Sequence, residues 1–276
     1  MEANPTGSPS PRRAHGIARR AMDAAPSVDG PLHVRFDETI APRADAAEIA
    51  WYEAHLPRGS GVLLHAICGH GRLLIPLREA GFALHGVDPS TACLARCRAG
   101  LDAAGLAAEL FRQEPTALNL PFRYAAAVFG AGAFQRLTGP RRALDALLRI
   151  RAHLIEPGIL LLDLVVPEEA AHPPGAPVVE WRMLPLADGS RIARRSEMLV
   201  DVSARCSEVH SRFEQRRGAR VTAREDEVCQ ATWYTEAQAT ELVANAGYRD
   251  IRCEPMPLRP REDATAARRF ALLARL

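Results

Sequence analysis

The stretch His65-Ala66-Ile67-Cys68-Gly69-His70-Gly71-Arg72-Leu73, answered by Asp88 17 residues after Gly71, decides how this chain folds. A short apolar run, Val62–Leu64, leads into it. Gly69 and Gly71 mark a turn, and Leu73–Ala80 then reads as a helix stopped by Gly81, which suits the left-handed residue after a helix end. Phe82–Val87 reads as a second strand closed by Asp88 and Pro89. A glycine-rich turn opening a helix lets a ligand approach the backbone closely. An acid at the end of the next strand can accept both hydroxyls of a ribose. Together the two features point to an adenosine-type ligand.

Outward from this turn the alternation continues. Ser90 can cap a helix over Thr91–Ala104 that stops at Gly105. Ala108–Arg112 and Tyr124–Phe129 read as strands three and four, and Arg141–Leu154 as a helix broken by Pro157-Gly158. Ile159–Val166 is a continuous apolar run, the pattern of a central parallel strand buried on both faces. Residues 62–166 thus alternate strand and helix at βαβ spacing. That predicts a doubly wound α/β sheet, with its crevice where the winding reverses, at the ends of strands one and four.

Beyond Pro167 the pattern changes. Val178–Pro185, Ser190–Val202, Cys206–Arg216 and Arg220–Thr232 have strand-like content and predict a small antiparallel unit that covers the crevice. Thr235–Ala246 returns to helix, capped by Thr235 and stopped by Gly247. Tyr248–Glu254 and Arg269–Ala274 read as a closing antiparallel pair. The expected organisation is a tail over 1–30 and one domain over 31–276. Within the domain, 62–166 is the ligand-binding core, 167–232 the cover and 233–276 the closing segment.

Composition narrows the chemistry. All 35 basic side chains are arginine, while alanine fills 49 positions. A lysine-free chain excludes Schiff-base chemistry, a pyridoxal-phosphate anchor and a P-loop lysine. Arginine stays protonated, so histidine is the only basic side chain that can act as a base near neutral pH. A net charge of +2 gives no broad footprint for nucleic acid, and none is expected as a partner. No apolar run reaches the ~18 residues that span a membrane. The first 22 residues carry Arg12, Arg13, Arg19 and Arg20 with no apolar stretch behind them, so they read as a disordered tail rather than a secretory signal. Six cysteines form no CxxC pair, and reduced thiols in a cytoplasmic setting are the expectation. Cys93 and Cys97, four apart on a helix, read as buried small residues. His65, Cys68 and His70 match no metal-ligand spacing, and no metal is expected.

With these residues in view, positions ~36–276 resemble a class I methyltransferase that uses S-adenosylmethionine, and most closely its small-molecule branch. The likeness rests on Cys68-Gly69-His70-Gly71-Arg72-Leu73, Pro76-Leu77, Gly86-Val87-Asp88-Pro89-Ser90, Phe134-Gln135-Arg136-Leu137 and Trp233-Tyr234-Thr235. It implies a Rossmann-like seven-stranded α/β sheet with the antiparallel cover inserted after strand five. It implies S-adenosylmethionine as cofactor and a small-molecule methyl acceptor as partner. His65, Ile67, Cys68, Gly69, Gly71, Asp88, Pro89, Glu114 and Phe134 fall on the cofactor side; Gln135, Trp181 and Tyr52 are the substrate-side candidates. The N-terminal segment around Phe36-Asp37 is expected to fold over the cofactor.

Two positions depart from the family's pattern. The family's acid, which holds the cofactor's amino group, lies at His65, and its first glycine lies at Ile67. Losing one charge-assisted hydrogen bond costs on the order of 1.5–3 kcal/mol. A β-branched side chain at a glycine position adds about 1–3 kcal/mol by overpacking. Methyl transfer is an in-line displacement that needs alignment and desolvation more than covalent catalysis. Catalytic residues are not assigned by the sequence; His55, His70, His153 and His210 are the candidate bases if the acceptor must lose a proton. The alternative is a methyltransferase-like chain kept as a binding or partner module.

Overall fold

The computed structural model describes residues 29–59, 61–167, 177–256 and 266–276; the expected tail lies almost wholly outside them. Two helices lead, α1 (Pro31–Ile40) and α2 (Ala46–His55). The alternating core follows as β1 (Leu63–Ala66), α3 (Leu74–Glu79), β2 (Leu84–Val87), α4 (Thr91–Ala103), β3 (Leu110–Phe111), β4 (Tyr124–Phe129), α5 (Pro140–His153) and β5 (Leu154–Pro167). Then come β6 (Val178–Pro185), β7 (Arg191–Asp201), β8 (Cys206–Arg217) and β9 (Arg220–Thr232). The chain closes with α6 (Glu236–Asn245), β10 (Arg249–Pro255) and β11 (Ala266–Arg275).

Seven strands form one sheet in the order β10-β11-β5-β4-β1-β2-β3, and β6-β7-β8-β9 form a separate antiparallel sheet. Within the large sheet β1 pairs in parallel with both β2 and β4, so the winding reverses between β1 and β4. The crevice expected there is thus set by topology. All residues of β1 and β4 are buried, as strands covered on both faces must be. One apolar cluster, including Leu64, Ala127, Phe129 and Leu147, packs on one face. A second, including Leu63, Leu74, Val128 and Leu161, packs on the other.

The sequence reading places β1, β2, β4, β6 and the cover strands within a few residues of their observed bounds. It errs at β5, which starts at Leu154 rather than Ile159. The Pro157-Gly158 pair ends the helix but lies inside an extended segment, because proline and glycine are both compatible with extended backbone at the start of a strand. α1 was not assigned as a helix; its signal was Pro31 at the first helical position, whose missing N–H costs nothing there.

α1 is held by residues far away in the sequence. Its N-cap, Gly30, has no side chain to offer the first-turn amides. Glu225 of β9 supplies the cap instead: its carboxylate accepts from Leu32 N at 3.0 Å and His33 N at 3.1 Å. A Cβ on Gly30 would sit 2.5 Å from that carboxylate, so a side chain there would push Glu225 off the cap. Leu32, Phe36, Ile192 and Phe213 then join helix to small sheet in a third apolar cluster. His33 stacks on Phe213 and bonds to Glu227 and Asp37.

A second long-range device lies between α2, β5 and β11. Arg269 forks onto Asp163, Nε to Oδ1 at 2.8 Å and Nη2 to Oδ2 at 2.6 Å, and also reaches Glu48 Oε1 at 2.7 Å. Glu48 accepts two bonds from Arg72, each 2.8 Å. Asp163 accepts in addition from the Tyr52 hydroxyl at 3.1 Å and Ala131 N at 2.7 Å. Glu48, Asp163, Tyr52 and Arg269 are all buried.

Two outcomes test these devices. Arg269→Met leaves two buried carboxylates short of a partner and is expected to lower the unfolding free energy by about 3–5 kcal/mol, read from urea denaturation; an unchanged midpoint would show that the network contributes nothing. Burial opposes the charge on His33, but Asp37, Glu227 and Asp29 outweigh it and raise the imidazole to about 11 from 6.5. Its contribution is therefore complete below pH 6.5 and lost as the pH rises toward 11. The stability gap between the chain and His33→Gln should narrow steadily from pH 6.5 to 10, followed by thermal melts.

Candidate functional site

A cavity of about 700 Å³ opens at the winding reversal, within the size range of small-molecule sites. Its floor is the β1 end and the turn after it, His65, Ile67, Cys68, Gly69 and His70, with Asp88 beyond β2. Gly130–Ala133, after β4, form one side. Val34, Asp37, Ile40 and Ala41 close it from α1, and the inner face of the small sheet forms the roof.

The turn is built by backbone hydrogen bonds that force its shape. Cys68 N donates to Val87 O at 2.9 Å, Gly71 N to Cys68 O at 3.2 Å, and Gly69 N to Asp88 Oδ2 at 2.9 Å. The chain passes through Ile67 with φ +55°, the left-handed region. For a β-branched residue that conformation costs about 1–2 kcal/mol. The sequence comparison put a glycine's place at Ile67, and the backbone there has a glycine's conformation.

Asp88 is buried and fixed from both sides, Oδ1 taking Ser90 N at 2.8 Å and Oδ2 taking Gly69 N. Burial raises its carboxyl to about 6, with Asp29 adding to the rise and the two amides and Arg136 opposing it. His65 is buried, and its Nδ1 has no hydrogen-bond partner. Burial first, and then the charge of Arg72, push it down to about 4, so the ring is neutral at physiological pH. His70 also falls, mainly by burial.

Of the cofactor-side residues expected from sequence, His65, Ile67, Cys68, Gly69 and Asp88 line the cavity. Gly71, Pro89, Glu114 and Phe134 do not. Gly71 faces inward, where a Cβ would meet Cys97 and Ile75 at 2.9 Å. Glu114 pairs with Arg142 at 3.6 Å, and Phe134 is buried against Phe129.

The substrate-side expectations fare differently. Gln135 lines the cavity, but its amide is committed: Nε2 donates to Val165 O at 2.8 Å and Oε1 accepts from Val165 N at 2.8 Å. It staples the turn after β4 to β5. Tyr52 lies wholly in the core, its hydroxyl held by Asp163. Trp181 is 60% exposed, because strand alternation turns it away from Glu180 and Arg182, which do face the cavity. The residues that do form the roof are Val178, Glu180, Arg182, Arg194, Ser196 and Met198. Glu180 pairs with both Arg182 and Arg194.

Asp29, grouped with the tail from sequence, reaches the site. Arg136 holds its carboxylate with both terminal nitrogens, Ser90 Oγ donates to its carbonyl at 2.6 Å, and the pair lies beside Asp88. Arg136 and His33 hold the Asp29 carboxyl far below the usual range against the opposing effect of burial. Its strongest partner, Arg136, lies 107 positions away, so spacing carried no signal for that pair. Of the candidate bases, His70 alone lines the cavity. His55 stacks on Trp51 and bonds Glu254, His153 accepts from Leu120 N, and His210 pairs with Glu208. Among the described residues, Asp29, His33 and Glu227 form the one cluster with metal-ligand proximity, and Arg136 pairs with its Asp29 while His33 pairs with its Glu227. No helix among these residues is long and apolar enough to cross a membrane.

Comparisons place this geometry. Residues 63–158 match a family described as a methyltransferase domain. A search of curated protein sequences found no match. Among solved structures, an S-adenosylmethionine-dependent methyltransferase from Clostridium acetobutylicum is similar at 15% identity and TM-score 0.66, over 88% of this chain and 96% of that one. The sugar N-methyltransferase KedS8 from Streptoalloteichus is similar at 18% identity and TM-score 0.66, over 100% and 98%. CalS10, an amino pentose methyltransferase from Micromonospora echinaspora solved with S-adenosylmethionine bound, is similar at 17% identity and TM-score 0.57, over 100% and 99%.

The backbone at position 67 is testable without a ligand. Ala normally outperforms Gly in stability. At φ +55° the order should invert, with Ile67→Gly about 1 kcal/mol more stable than Ile67→Ala in chemical denaturation. Ala the more stable of the two would refute the strain.

Proposed function

We propose that this chain, whose residues 63–158 match a methyltransferase domain, is a class I S-adenosylmethionine-dependent methyltransferase that methylates a small polar acceptor. One observation carries the reading. A single cavity joins the glycine turn and Asp88 to the polar roof of the small sheet, so cofactor and acceptor subsites share one continuous space.

The residues present fit the cofactor. Asp88 is fixed by two amides and can accept ribose hydroxyls once ionised. The unpartnered Nδ1 of the buried His65 is a polar atom that a ligand's amino-acid end would satisfy. As a neutral ring it binds an ammonium by one hydrogen bond, without the family's fixed charge. Ile67 narrows the same passage, which weakens binding without closing it. When bound, S-adenosylmethionine supplies a methyl group activated by a sulfonium. The chain's own part is alignment and exclusion of water by α1 and the small sheet.

On the acceptor side, Glu180, Arg182, Arg194 and Ser196 offer hydrogen-bonding groups suited to a hydroxylated molecule. A sugar or amino sugar, the substrate class named for two of the similar structures, matches that wall. His70, kept neutral by burial, is the group placed to take a proton from an acceptor amine or hydroxyl.

Calorimetry with S-adenosylhomocysteine between pH 8 and 5 tests the cofactor assignment. Binding requires Asp88 ionised, and its carboxyl titrates at about 6 in the free protein. Affinity should be level above pH 7 and fall about tenfold per unit below pH 6. Asp88→Asn should bind weakly and lose that slope. A wild-type profile flat down to pH 5 would remove Asp88 from the site. No binding up to millimolar ligand at pH 8 would overturn the enzyme reading in favour of a binding module.

A further inference from the structure

β6 is an open edge: among the described residues it pairs with β7 and has no strand on its other side. Long exposed edges invite pairing, and proteins blunt them with proline, charge or short length. This edge is blunted by proline only at its ends, by Pro177 just before it and Pro185 at its last position. It runs for eight residues, has no proline before its last position, and pairs its two charged residues with each other. It carries the two most exposed large apolar side chains among the described residues, Trp181 at 60% and Val179 at 53%, the latter also bordering the cavity.

We propose that β6 is the seat of a homodimer, in which the β6 strands of two copies pair antiparallel across a two-fold axis through Trp181. The two four-stranded sheets then merge into one of eight. Symmetry and charge select this register. A two-fold axis perpendicular to the sheet keeps each copy's inner face on the same side, so a residue on β6 opposes one of the same face. The axis must therefore pass through a residue rather than between two. With Glu180 on the axis, two glutamates oppose; with Arg182 on it, two arginines oppose; with Val179 or Met183 on it the two strands overlap over a shorter stretch than with Trp181. Like charges directly opposite destabilise a sheet.

With Trp181 on the axis every pair is complementary. Glu180 meets Arg182 of the second copy, twice. Val179 meets Met183, twice, and the two Trp181 rings meet at the centre, where an interface concentrates its binding energy in aromatic residues. Val178, Val179, Glu180 and Arg182 also line the cavity, so the second copy's strand borders its mouth. The proposal does not depend on the reaction catalysed.

Sedimentation equilibrium on the full chain at tens of micromolar tests it. The expected mass is twice the 30.1 kDa of one chain. Glu180→Arg and Arg182→Glu each place like charges across the axis, and each should return the chain to a monomer. The double swap should restore the dimer. Circular dichroism checks that each variant is folded. Trp181→Glu, altering a side chain that is exposed in one copy, should also give a monomer and carries the test if the swapped chain fails to fold. A monomeric wild type, a dimer that survives the single reversals and Trp181→Glu, or a folded double swap that stays monomeric would overturn the proposal.

Discussion

Two arginines and two carboxylates, all buried except the cavity-lining Arg72, hold the glycine-turn half of this molecule in register. Arg269 comes from the last strand, Asp163 from β5, Glu48 from α2 and Arg72 from the turn after β1. The four charges cancel in sum, yet each is costly to bury alone, so removing any one exposes the cost of the others. Such a network is weak evidence for net stability. What it supplies here is position. Arg72 sits on the cavity's glycine turn, and Ala131, on the opposite wall, donates to Asp163. Both walls of the cavity are therefore tied to one buried group of charges, and the last strand of the chain is a condition for the shape of the turn after the first.

The same network explains the state of His65. A buried imidazole beside unbalanced carboxylates would be pulled toward its charged form. Here Asp163 and Glu48 do pull that way, but burial and Arg72 outweigh them, and the ring is left neutral. The position that carries a fixed negative charge in the resembling family thus carries a neutral polar atom. Ile67 compounds the change by keeping the left-handed backbone while adding a side chain. On the proposed reading, the site keeps the glycine turn and acid of the resembling family at lower electrostatic strength. In such a site Asp88 and the backbone bear a larger share of any binding.

Much of the fold was legible in local pattern. Apolar runs bounded by glycine and proline located β1, β2 and β4, and Thr235 and Gly247 marked the ends of α6, to which the structure adds a capping box from Thr235 to Gln238. Period-two alternation even held the correct reading of β6: residues 180 and 182 share a face that 181 cannot. Weighting Trp181 by its aromatic character, against that alternation, put it on the wrong side of the strand. The rest was illegible for a different reason. The Arg269–Glu48 pair spans 221 positions, Glu225 caps a helix 193 positions before it, and Asp29 answers Arg136 across 107. No period links such residues; only the fold brings them together. They are also the contacts that complete the cavity, which is why fold was easier to read than site.

The missing lysines bear on this last point. A guanidinium is planar, carries five donors and stays charged, and it can grip two acids at once in fixed directions. Arg269 does this with Asp163 and Glu48, Arg72 takes Glu48 with two parallel bonds, and Arg136 takes Asp29 in the same way. An ammonium is a point charge and defines no plane. A chain whose 35 cations are all arginine can therefore turn long-range ion pairs into directional joints. Whatever set that composition, it placed a forked donor at each of these joints: between the last strand and α2, between α2 and the glycine turn, and between the N-terminal segment and the turn after β4. The cofactor side of the cavity rests on these three joints, while its roof rests on the apolar packing and glutamate cap that fasten α1 to the small sheet. The two halves are thus held by different physics. The roof can change with the small sheet while the charge network that shapes the glycine-turn side stays in place.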